Sequence, residues 1–186
     1  AEILGNLNTE NYRVGELDNE LNKHLGGFST NLNSYLKNSD DDNLMPKLVI
    51  QAKSMNTKAN KMFALTEEIL TKSKIDDKER LNTLLTRHQS RLYANVMRNG
   101  MGIALTRLRS YYSKDGKFSE LTNGYTYYEF ITDLQKNFDD KYDEIVKNLQ
   151  EVAAAVINKN NLIANITCAK ADYPIYENEL HNFMHQ

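Results

Sequence analysis

The apolar residues of this chain keep one period, change to a second and return to the first, and that switch limits the available folds more than any other feature. Val14, Leu17, Leu21 and Leu25 recur at helical spacing, which predicts a helix ending at Gly26-Gly27. Two glycines permit a sharp turn, and a positive φ at either would make a Val there cost more than about 1 kcal/mol. From Phe28 the period is two. Phe28, Thr30, Leu32, Ser34 and Leu36 share one side, with Ser29, Asn31, Asn33 and Tyr35 on the other. After the turn cluster NSDDDN (38–43), Leu48, Ile50 and Ala52 alternate with Val49, Gln51 and Lys53, so a hairpin is expected. Pro46 lacks an amide hydrogen and belongs near the start of the second strand.

Helical spacing then returns. Met62, Leu65, Thr66, Ile69 and Leu70 form one stripe, and Asp76 to Glu79 open the longest helix, carrying Leu81, Leu84, Leu85, His88, Leu92 and Val96. Gly100-Met101-Gly102 interrupts it, helix resumes over Ile103 to Tyr112, and SKDGKFSELTNG reads as a loop by composition. Thr126 and Glu129 fit a capping box ahead of Tyr127, Phe130, Ile131, Leu134 and Phe138. A further helix carries Tyr142, Ile145, Val146, Leu149, Ala153 and Val156 and ends by Asn160-Asn161. Leu162, Ala164, Ile166 and Cys168 alternate with Ile163, Asn165 and Thr167, which predicts a third strand, and Asp172-Tyr-Pro174 opens a last helix. The order defines an α+β fold, an antiparallel sheet of hairpin plus late strand covered by several helices. Three strands are few, and the rest of the sheet is expected upstream.

With 186 residues, one domain is the default at about 150 residues per domain. Residues 1–186 are therefore read as a single α+β domain. The start, AEILGNLNTENY, has neither an initiator Met nor a signal-peptide pattern, so the domain is read as truncated at its N-terminus. Mean hydropathy is −0.63, and no apolar run reaches the about 20 residues that span a bilayer, so no membrane partner is expected. One Cys makes neither an internal disulfide nor a Cys-based zinc site, and export to an oxidising compartment is not implied.

Candidate chemistry is sparse. His181-Asn-Phe-Met-His185 has the spacing of an inverted zinc motif, but Met184 stands where a proton-accepting Glu is needed. It reads as a chance pair. His24 and His88 are isolated, His88 on the apolar side of its helix. Cys168, on the inward side of the late strand, reads as a small buried hydrophobe. Asp40, Asp41 and Asp42 lack the ligand spacing of a calcium loop and read as a solvated hairpin tip. Gly26-Gly27 lacks the Lys-Ser/Thr of a phosphate loop. Charge is uneven: from Arg80 to Lys114 there are seven basic residues and no acid, and from Glu129 to Glu151 seven acids against three lysines. The stripe Arg87, Arg91, Arg98, Arg107 and Arg109 could face nucleic acid, an anionic or peptide partner, or solvent.

Three stretches together resemble the presequence-protease branch of the insulinase/pitrilysin zinc metallopeptidases, in the segment that begins the C-terminal half. They are LNTENY followed by ELDNELNKHLGGFS; ERLNTLLTRHQSRLYANVMRNGMGIALTRLRSYYS continuing to NGYTYYEFITDLQKNFD; and NKNNLIANIT. The resemblance runs from about Gly5 to Leu180. It implies a clamshell peptidase of four similar domains, of which this chain would be most of the third, a truncated LuxS/MPP-like metallohydrolase domain. Zinc is expected in the first domain, on H-x-x-E-H and a distant Glu, and substrate-binding Arg and Tyr in the last. This chain has no H-x-x-E-H, so no catalytic, cofactor-binding or metal residue is assigned and the segment alone should be inactive. The expected function is a non-catalytic domain of a zinc metalloendopeptidase that degrades unfolded peptides, contributing to the chamber wall, with the arginine stripe facing substrate. Its expected partners are the other domains of the same polypeptide and peptides. Relatives of this kind work in bacteria and organelles, which favours bacterial cytoplasm or organelle matrix over secretion. The alternative is a basic helical module for nucleic acid or protein.

Overall fold

The computed structural model describes residues 1–37 and 40–185, and the side chains of 37 and 40–42 fall outside that description. The fold is α+β. Helix α1 (Val14–His24) leads into β1 (Leu25–Lys37) and β2 (Asp40–Ser54), which pair as a two-stranded sheet. A 3-10 turn and α2 (Ala59–Thr71) follow, then α3 (Lys78–Arg98), α4 (Gly100–Arg109), α5 (Lys114–Asn123), α6 (Tyr125–Lys136), α7 (Phe138–Val156) and α8 (Tyr173–His185).

Two compact units share this chain. The first comprises residues 1–31, 48–77 and 146–186, the second 32–47 and 78–145. In the first, Leu17 of α1, Leu25 of β1 and Leu65 and Ile69 of α2 are buried together, with Leu4, Tyr12, Leu21, Phe28 and Met62 packed around them. Helix α8 lies on α2, where the rings of Phe63 and Phe183 are 5.8 Å apart and the Tyr176 hydroxyl donates to Asn56 Oδ1 at 3.0 Å. In the second unit Leu81, Leu84, Ile131 and Phe138 are buried. There α3 packs on α6, and Lys78 joins Asp139 of α7 at 2.8 Å while its ammonium lies over the Tyr142 ring.

Several expectations are corrected. The loop expected over SKDGKFSELTNG is helix α5: the Ser113 hydroxyl accepts the Gly116 amide at 2.9 Å as an N-cap, and packing on α4 and α6 overrides the weak propensity of its residues. No capping box starts α6. Thr126 lies inside the helix and its amide is taken by Glu120, six residues upstream. The strand expected at Leu162–Cys168 is absent: those residues pair with no strand among the described residues, because alternation supplies a face but not a ladder partner. Gly26 and Gly27 make no turn. Both lie in β1, and positive φ occurs among the described residues at Gly5, with φ 77°. Pro46 sits well inside β2, tolerable because in a two-stranded sheet each strand is an edge and the missing amide can face outward. The turn expected at 38–43 falls partly outside the described residues. Asp40 already belongs to β2, and the calcium question concerns side chains 40–42, which also lie outside.

Candidate functional site

Each unit contains a buried carboxylate, Glu68 in the first and Glu120 in the second. In the second, Glu120 of α5 is 1% exposed, and its Oε1 accepts the Thr126 amide at 2.9 Å, the Thr126 hydroxyl at 2.8 Å and Arg107 Nη1 at 2.9 Å. The same guanidinium donates to the Thr126 hydroxyl at 2.6 Å. One oxygen thus ties α4 and α5 to the start of α6 and satisfies an amide that the helix itself leaves unbonded. The second oxygen, Oε2, is buried without a hydrogen bond. It lies where a side chain on Gly124 would begin, so only glycine fits there. Burial pushes the Glu120 carboxyl up, but hydrogen bonds from the Thr126 amide, Arg107 and the Thr126 hydroxyl outweigh it and hold it below its ordinary value. Arg107 is pushed up in return, first by that bond and then by one to Tyr111.

In the first unit Glu68 of α2 is 5% exposed and accepts the Asn11 amide at 3.0 Å and the Asn11 side chain at 2.8 Å, with Lys72 at 3.4 Å. Burial raises its carboxyl, and bonds from Thr9 and Asn11 with the Lys72 charge lower it further than burial raises it. Around this clamp Thr9 bridges Ser73, the Glu10 amide donates to Lys72 O, and Asn8 accepts the first amide of α1 from Val14 at 2.9 Å while donating to Asp77 at 2.8 Å. The LNTENY stretch is therefore a latch between the start of α1 and the end of α2. Nothing in its spacing marks Glu68 or Glu120, and both were missed at the sequence level.

The arginine stripe lies in the second unit, on α3 and α4. Arg87, Arg91, Arg98, Arg107 and Arg109 are all exposed. Arg107 and Arg109 are paired with Glu120 and, at 3.5 Å, Asp115, Arg98 Nε donates to Ala94 O of its own helix, and Arg91 Nη2 lies 3.4 Å from His88 Nδ1. His88 is half-buried with Nε2 2.9 Å from the Tyr127 hydroxyl, the environment of a packed boundary histidine. His24 faces Glu20 at 3.3 Å. Cys168 is half-exposed and on no strand, so its expected burial on an inward strand face is corrected. An open cavity of about 280 Å³ in the first unit is lined by Leu4, Leu21, Phe28, Ser29 and Thr30 among others, and the acids on its wall are Glu2 and Asp18.

The described residues do not fit zinc. The rings of His181 and His185 are 4.3 Å apart on α8 with a thioether between them in sequence, and among the described residues no group of three or more His, Cys, Asp or Glu is placed to hold a metal ion. No helix among the described residues is long and apolar enough to cross a membrane.

The buried carboxylates of both units are engaged by hydrogen bonds from within the chain. The chain belongs to the peptidase-associated family of peptidase group M 16, subgroup C, whose model matches residues 1–134. It is 27% identical over 180 residues to Protein HypA of Clostridium perfringens, covering 97% of this chain and 18% of that protein. It is 25% identical over 168 residues to presequence protease 1, chloroplastic/mitochondrial, of Arabidopsis thaliana (90% and 15%) and 26% identical over 176 residues to the mitochondrial presequence protease of Drosophila melanogaster (94% and 17%). The chain thus spans less than a fifth of the length of the curated relatives it matches.

Proposed function

We propose that residues 1–186 form one domain of a zinc-dependent metalloendopeptidase that degrades unfolded peptides, and that this domain is part of the wall of the substrate chamber and takes no part in the chemistry. The family match carries this reading, since the relatives that align along nearly all of this chain include presequence proteases several times its length. Zinc and the proton-transferring groups then reside elsewhere in the same polypeptide, with the other domains and the peptide as partners of this one. A chamber wall acts by excluding folded chains and by giving an unfolded one a surface to lie on, so it contributes binding energy and not proton transfer. Arg87, Arg91, Arg98, Arg107 and Arg109 are the residues assigned to that surface.

The test compares the intact polypeptide with the 186-residue chain. The intact polypeptide should cleave an unstructured peptide and lose that activity to a chelator, whereas the chain alone should give no turnover with added zinc. Chelator-sensitive cleavage by the chain alone would overturn the reading. Tight, steeply salt-dependent binding of a generic duplex by the chain would favour the nucleic-acid alternative instead.

A further inference from the structure

We infer that the outward face of α4, continued by Met97 and Tyr112, is a docking surface for an apolar segment of an unfolded peptide flanked by acidic residues. The inference rests on the reading of this chain as one domain of a longer peptidase, and it names the peptide chemistry that this domain takes. Met101, Leu105 and Leu108 recur at i, i+4 and i+7, so they share one side of α4, and Tyr112 keeps that spacing just past its end. Off that side, Ile103 and Thr106 are half-buried, and α4 packs on α5. A helix that is apolar all round is ordinarily covered all round. Here Met101 is 79%, Leu105 54%, Leu108 51% and Tyr112 81% exposed, and Met97, four residues before Met101, is 61% exposed. A single exposed apolar side chain needs no explanation, but a run of them at one spacing makes a patch.

Such a face can be covered by another segment of the same polypeptide, by a second copy or by a peptide in trans. Side-chain chemistry and charge decide between them. A permanent partner favours side chains with few rotamers, whereas this stripe has Met97 and Met101 at one end and Tyr112 at the other, the composition of surfaces that re-pack for different sequences. Its rim is basic. Arg98 precedes Met101 by three residues and donates to Ala94 O of its own helix, and Arg109, four residues after Leu105, stays exposed although Asp115 lies 3.5 Å away. From Arg80 to Lys114 the sequence carries no acid. A second copy would set one basic rim against another, which opposes association. A peptide with Asp or Glu beside its apolar residues meets the leucines and the guanidinium groups together, so the occupant is a peptide of that kind.

Methionine oxidation by dilute peroxide, followed on the intact polypeptide with a chelator present so that added peptide survives, tests this. Without peptide, Met97 and Met101 should oxidise within about 3-fold of the rate of a methionine in a free peptide, at high and at low protein concentration. An apolar segment flanked by glutamates should slow that oxidation at least about 5-fold, and the same segment flanked by lysines, or with its apolar residues replaced by serine, should not. In L105S/L108S the peptide concentration for half protection should rise at least about 10-fold. Slow oxidation without peptide at every dilution means that the polypeptide itself covers the face, and slow oxidation relieved by dilution means a second copy. Either result overturns the inference, as do equal protection by the three peptides, protection by none of them, and an unchanged half-protection value in L105S/L108S. Turnover assayed before the chelator is added separates the two readings. Chelator-sensitive turnover without protection of the methionines sinks the docking surface alone, and protection without turnover sinks the peptidase reading alone.

Discussion

A glutamate buried against backbone amides holds a segment in place only while it stays charged, and both Glu68 and Glu120 are of this kind. Their carboxyls titrate below the ordinary value, so the stability they contribute is complete above the unfolded carboxylate pKa of about 4.3 and is lost as pH falls through the lower folded value. Urea unfolding should therefore show a stability loss that begins below about pH 4.3, and the variants E68Q and E120Q, less stable at pH 7, should lose less on acidification. An unchanged acid profile in both variants would show that other groups govern it. Glycines divide in a similar way. A methyl on Gly116 would meet the Arg109 carbonyl oxygen, whereas at Gly27 there is open space and no positive φ. G116A should cost about 1–3 kcal/mol and G27V about nothing, read as denaturation midpoints. The LNTENY stretch was legible as a signature, but its reason was not, because Asn11 meets Glu68 at a separation of 57 residues. Spacing within a motif carries no information about a partner that far along the chain.

Elements were legible where period and punctuation agreed. α2, α3, α7 and α8 follow apolar stripes bounded by glycine, proline or polar clusters and the hairpin follows its two-residue alternation, whereas α1 stops at His24 and Gly26-Gly27, expected to end it, lies inside β1. α5 was not legible, because Lys114-Asp-Gly116-Lys has no stripe and Gly116 reads as a breaker, yet Ser113 and Gly124 were present at its two ends as boundary signals. The cap is testable. S113A should destabilise α5 by about 1 kcal/mol, seen as faster exchange of the Gly116 and Lys117 amides, with α3 unaffected. Equal exchange in variant and parent would mean that packing on α4 and α6 alone holds the helix. The late strand shows the opposite failure. Its alternation was real, but a strand is a property of two segments, and alternation in one of them cannot supply the other.

For the whole molecule, the unequal distribution of charge is the feature most visible in sequence, and part of it is absorbed by structure. Arg107 and Arg109 hold α5 in place through Glu120 and Asp115. On the proposed reading, charge reversal at Arg87, Arg91 and Arg98 together in the intact polypeptide should raise KM for an acidic unstructured peptide at least about 10-fold at low salt, leave kcat unchanged and have little effect on a basic peptide. Equal effects on both peptides would remove the stripe from the substrate surface. Family membership was legible from three separated stretches, because a lineage is written in their order along the chain. The Glu120 cluster bears on that lineage. With one oxygen serving Arg107 and Thr126, and Gly124 kept bare by its twin, no member can drift without stranding the others. Across descendants these four positions should be inherited as a block or abandoned as one.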